Sequence, residues 1–80
     1  MPKTIHRDEY EVLLALVKQM RVNAGLTQVE LSEALGRPQS LISKIERGVI
    51  RLDVMQLKDI CDTCNRTLTS FCREYEKAID

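Results

Sequence analysis

The sequence predicts an all-α fold, a compact five-helix bundle. Three observations carry this. Apolar residues recur at three-and-four spacing, capping and stop signals divide the chain into five helix-sized segments, and no stretch has the period-two alternation of a strand. Eighty residues suit one domain over 1–80. A chain of this size buries only about 60–65% of the surface its unfolded form exposes, so every apolar face needs a partner.

The first helix is expected from about Arg7 to Ala24, because Tyr10, Leu13, Leu14, Val17, Met20 and Ala24 share a face and Gly25 ends the run. Val12 and Leu16 lie off that stripe, which leaves open a second buried contact or a subunit interface. Thr27 with Glu30 is a capping-box pair, flanked by Leu26 and Leu31 as a hydrophobic staple. A second helix of about Gln28 to Leu35 follows, with Leu31, Ala34 and Leu35 inward and Gly36 as its stop.

Pro38 suits a first helical position, where its fixed φ helps and its missing N–H costs nothing; it also biases Arg37 to an extended conformation. A third helix is therefore expected from Pro38 to about Arg47, closed by Gly48. Ile42 and Ile45 share one side of it, with Leu41 at the margin, and Gln39, Ser40, Ser43, Lys44 and Arg47 share the other. Asp53 with Gln56 repeats the capping logic for a fourth helix, whose stripe is Val54, Leu57, Ile60, Cys61 and Cys64 and whose exit is a left-handed Asn65. A fifth helix, capped by Thr67 or Thr69, carries Leu68, Phe71, Cys72, Tyr75 and Ile79 on its apolar side.

Twelve basic and twelve acidic side chains give a formal net charge of zero, which argues against indiscriminate binding of polyanions. The distribution is uneven. From Gly36 to Leu52 four basic residues face one acid, Glu46, for a local +3, whereas Asp53 to Asp80 carries −2. The longest apolar run, Val12 to Val17, is far below the roughly 20 residues of a membrane span, and Met1 to Tyr10 has no signal-peptide pattern, so no membrane association is expected and a cytoplasmic location is. Cys61, Cys64 and Cys72 leave one thiol over in any disulfide scheme of a monomer. The CxxC lies inside a helical stripe with no second CxxC, and His6 is distant in sequence, so the cysteines are read as buried small hydrophobes and neither a metal nor a cofactor is expected. No nucleophile–base set or phosphate loop appears, and an enzyme is not expected.

Two short helices joined by a glycine-containing turn form a helix-turn-helix, here residues 26–48, whose second helix enters the DNA major groove. A glutamine amide carries both a donor and an acceptor, matching N6 and N7 of adenine, and serine can serve either kind of group. Lys44, Arg47 and Arg51 suit phosphates, which position a protein without reading sequence. The plainer reading of Gln39, Ser40 and Ser43 is a solvated helix face, and that of Arg47 and Arg51 is complementing of helix ends.

The stretch GLTQVELSEALGRPQSLISKIERG resembles the phage-repressor and Cro helix-turn-helix proteins, the xenobiotic-response-element (XRE) family. The resemblance implies a lambda-repressor-like domain that binds double-stranded DNA. It implies that Gln39, Ser40, Ser43 and Lys44 face base edges or nearby phosphates. Gln28 would bond a phosphate and brace Gln39, Arg37 with Pro38 would mark the entry to the recognition helix beside the backbone, and Arg47 and Arg51 would lie near the sugar-phosphate strand. Arg21 and Glu46 match an ion pair joining the first helix to the end of the third. The chain departs from the pattern at Pro38, where a hydroxyl contact is lost, at Leu41, which either touches a thymine methyl or packs inward, and at Val49 and Ile50, which replace charged residues and are expected to be partly buried.

The resulting expectation is a sequence-specific transcriptional regulator, a repressor, binding a palindromic operator as a homodimer through the helix 5 region 67–80, with RNA polymerase occluded or touched. Two other classes fit the same residues: an antitoxin-type partner of a toxin with secondary DNA binding, and a cysteine-based redox or metal sensor.

Overall fold

The computed structural model describes residues 5–80, with side chains described from Asp8 onward, so the side chain of His6 lies outside the described residues. It contains α1 (Ile5–Asn23), α2 (Gln28–Ala34), α3 (Leu41–Glu46), α4 (Val54–Thr63) and α5 (Leu68–Ile79), and the described residues include no strand. Local chemistry sets most boundaries. The Thr27 hydroxyl accepts from Glu30 N–H at 3.0 Å while Thr27 N–H donates to the Glu30 carboxylate at 2.9 Å. Asp53 and Gln56 form the same reciprocal pair at 2.7 and 3.0 Å, and Thr67 rather than Thr69 caps α5. Each cap satisfies amides that the first helical turn leaves without partners.

Helices α1 to α4 end alike. At α3, Gly48 N–H donates to Ile45 O and Val49 N–H to Lys44 O, a Schellman motif that needs a left-handed residue, and Gly48 has φ +76°. Asn65 takes the same role after α4 with φ 61°.

The core joins Leu14, Val17 and Met20 of α1, Leu31 of α2, Ile42 and Ile45 of α3, Leu57, Ile60 and Cys61 of α4 with Cys64 just beyond, and Phe71 of α5. Fully burying one such large side chain contributes about 1.5–3 kcal/mol. Leu26 packs against this cluster, and the Tyr75 hydroxyl donates to Glu9 O at 3.0 Å, tying α5 to α1.

Several expectations need correction. Helix α1 begins two residues earlier than expected at Ile5, and Ala24, placed on its stripe, is an exposed turn residue. Ala34 is exposed and Ser32 is buried in its place, because the inward arc of α2 is centred between Leu31 and Leu35 on the Ser32 side. Helix α3 starts at Leu41, not Pro38: Leu41 N–H bonds Pro38 O at 2.9 Å, so Pro38 to Ser40 is a tight turn that winds into the helix. Val54 is 69% exposed because it is the first residue of α4 and projects past the packed face. Cys72 is exposed, about 100° round α5 from buried Phe71 and on the outer edge of its stripe. Val49 is also exposed, whereas Ile50 packs against the core. Val12 and Leu16 are both half-buried, and Leu16 packs on the core.

Candidate nucleic-acid interface

The orientation of α3 is set from three sides. Ile42 and Ile45 are fully buried, anchoring its inner face. At its start, the Ser32 hydroxyl of α2 accepts from Ile42 N–H at 3.1 Å, while the adjacent Ser40 makes no side-chain capping bond. At its end, Glu46 meets Arg21 of α1, with Nε to Oε2 at 2.7 Å and Nη2 to Oε1 at 3.2 Å. Arg21 Nη1 also donates to Leu26 O at 2.8 Å, and Gln28 Nε2 donates to Glu46 Oε1 at 2.9 Å. The ion pair is nearly solvent-free, with side chains 9% and 5% exposed. A pair so buried is stable only when its remaining donors and acceptors are satisfied, as here; its effect is to fix one arrangement of three helices.

This network decides where Gln28 points. A carboxylate only accepts, so the amide nitrogen must face Glu46. Gln28 is thus held by the protein's own ion pair, half-buried, with its nitrogen turned to Glu46 and no bond to Gln39.

The opposite surface is polar and free. Gln39, Ser40, Lys44 and Arg47 are exposed and Ser43 is half-buried. Arg37 and Pro38 are exposed beside them in the turn. Arg47 Nε folds back to Ser43 O at 3.3 Å. Arg51 is exposed with its guanidinium carbon 5.1 Å from the Tyr10 ring centroid. Of the charges between Gly36 and Leu52, the four cations are exposed and the one carboxylate, Glu46, is neutralised by Arg21. The field on this face is therefore positive although the chain as a whole is neutral.

The short packed pair α2 and α3, with a polar second helix exposed beside a basic rim, is a helix-turn-helix. A family model described as helix-turn-helix matches residues 17–71. The chain belongs to the XRE family of helix-turn-helix proteins. Among solved structures, an XRE-family like protein from Pseudomonas syringae pv. tomato is similar, with 41% identity, a TM-score of 0.88, and coverage of 95% of this chain and 93% of that one. No curated protein matches. As an XRE-family member the chain is a DNA-binding transcriptional regulator.

Among the described residues, other parts of this XRE-family chain carry no comparable arrangement. Burial pushes the Cys61 thiol from its ordinary value up to about 11 and raises Cys64 in the same direction, so both stay protonated and poorly nucleophilic. Among the described residues no group of three or more His, Cys, Asp or Glu side chains could hold a metal ion, and no helix is long and apolar enough to cross a membrane. Two side chains that hold the backbone at Ile42 and Leu52, Ser32 and Tyr10, escaped the sequence reading. Ser32 had a weak signal, lying beside Leu31 on the inward arc, and Tyr10 had none beyond its place in an apolar stripe.

Proposed function

We propose that the protein is a sequence-specific repressor that binds a palindromic operator as a homodimer. Gln39, Ser40 and Ser43 read base edges in the major groove, Lys44 beside them meets a nearby phosphate, and Arg37, Arg47 and Arg51 hold phosphates further along the rim. Gln28 acts at the rim, its nitrogen shared between Glu46 and a backbone oxygen. A single short helix reads only a few base pairs. Two copies about 34 Å apart read both halves of a palindrome and cover a promoter that RNA polymerase would otherwise occupy in the cytoplasm. The α5 region 67–80 is the proposed contact between copies. Ile79 there is half-buried and lines one open hollow with Val12.

The observation that carries the reading is the exposure of Gln39 and Ser40 in the turn that enters α3 and of Lys44 and Arg47 at and just beyond its end, while Ile42 and Ile45 bury its inner side. Selection of bound duplexes from a random pool tests it. Two inverted half-sites with centres about one helical turn apart are the expected outcome. Recovery of unselected sequence at fixed salt would reject base reading, and a lone half-site bound by one copy would reject the dimer.

A further inference from the structure

The segment between α3 and α4 has no regular structure over residues 51–53, yet one side chain of α1 holds two of its successive residues. Leu52 N–H donates to the Tyr10 hydroxyl at 3.1 Å, and the Arg51 guanidinium lies over the ring of the same tyrosine at 5.1 Å. The hydrogen bond fixes the backbone next to Arg51. The ring then gives the side chain a resting place that the segment itself cannot supply.

The chemistry of guanidinium makes this placement productive. Cation–π contact uses the flat face of the group, whereas hydrogen bonds to a phosphate use N–H donors in its plane. With its carbon 5.1 Å from the ring centroid and the residue exposed, Arg51 keeps N–H donors available to a phosphate, and an arginine already restricted to one region loses less rotamer freedom on meeting it. We propose that Tyr10 is a positioning residue for DNA binding, pre-setting Arg51 toward the sugar-phosphate backbone. The inference rests on the DNA-binding reading of Arg51 given above.

The test is a double-mutant cycle on operator affinity, measured by fluorescence anisotropy across a salt series with the full chain. Tyr10→Leu should weaken binding about two- to fivefold, the cost of ordering one long side chain that the ring no longer holds in advance. Tyr10→Phe, which keeps the ring, should lose less than Tyr10→Leu. In an Arg51→Ala background Tyr10→Leu should add nothing, because the residue acts only through that arginine. Equal loss in both backgrounds, or none from Tyr10→Leu, overturns the proposal. Should Tyr10→Leu fail to fold, proton NMR of the DNA-free wild type decides: upfield ring-current shifts at the Arg51 δ-protons, kept in Tyr10→Phe, are expected, and ordinary shifts reject the stacking. If Gln39→Ala and Arg51→Ala both leave affinity unchanged, the DNA reading itself fails. If Gln39→Ala weakens binding but the cycle shows no coupling, only the role of Tyr10 does.

Discussion

The Ser32 hydroxyl of α2 accepts from the Ile42 amide of α3 at 3.1 Å inside the core, so α3 is capped by its neighbour and not by its own N-terminal residue. The bond fixes α3 relative to α2 at the end that carries Gln39 and Ser40. It also explains why a serine is fully buried.

Removing that acceptor should leave a buried amide without a partner. Ser32→Ala is expected to destabilise the fold by about 1–3 kcal/mol, read as a lower midpoint in urea unfolding. Ser40→Ala, at the helix's own cap position, should change stability by less than about 0.5 kcal/mol because its hydroxyl makes no capping bond. Similar losses from the two substitutions would show that the capping is not divided in this way.

The Arg21–Glu46 pair should behave as a buried ion pair. Arg21→Met or Glu46→Leu alone is expected to cost about 3–5 kcal/mol, since each leaves an uncompensated charge among apolar groups. The double substitution removes both charges and should be more stable than either single one. Unfolding of the four proteins gives the coupling energy, and additive losses would mean that the 2.7 Å contact contributes little.

Substitutions on the outer face of α3 should separate base reading from phosphate contact. Gln39→Ala should cost about 1–3 kcal/mol on the selected operator and relax preference at one base pair. Lys44→Ala and Arg47→Ala should weaken binding to all duplexes alike and reduce the salt slope by about one each. Anisotropy titrations on matched and substituted operators measure both quantities. A loss of sequence preference from Lys44→Ala would place that residue on a base edge.

Alkaline pH should destabilise the fold through its buried thiols. Cys61 ionises at about 11 in the folded chain against an ordinary 9.0, and Cys64 is raised too. Above the ordinary value the unfolded chain loses protons that the folded chain retains, so the contribution is complete below about pH 9 and lost as pH rises toward 11. Burial raises the Tyr75 hydroxyl above its ordinary 10.0, which acts in the same direction. Urea midpoints at neutral and rising alkaline pH check the sign. In a thiol titration of the native protein near neutral pH, the exposed Cys72 should react first, with Cys61 and Cys64 following only on unfolding.

Helix ends were legible because their causes are local. Thr27 and Glu30, or Asp53 and Gln56, meet whenever the intervening residues turn into helix, and Asn65 or Gly48 can take a left-handed conformation whatever packs nearby. The outward polar face of α3 was legible for a similar reason, since Ile42 and Ile45 fix which side turns inward. The start of α3 was not. Pro38 fits a first helical turn in isolation, but the chain leaving α2 closes Arg37 N–H onto Ser32 O and makes the next residues a turn.

The amino-acid sequence alone determined five helices, the capping boxes of α2 and α4, the stops of α1 to α4, and which side of α3 is polar and turned outward. Tertiary structure alone decided that Ser32 caps α3, that Glu46 holds the nitrogen of Gln28, that Arg51 rests on Tyr10, and that Val54 and Cys72 face solvent. The first set depends on groups within about one helical turn of each other, whose meeting follows from backbone geometry. The second depends on how far each helix is rotated about its axis when the core closes, and periodicity constrains that rotation only to a broad arc.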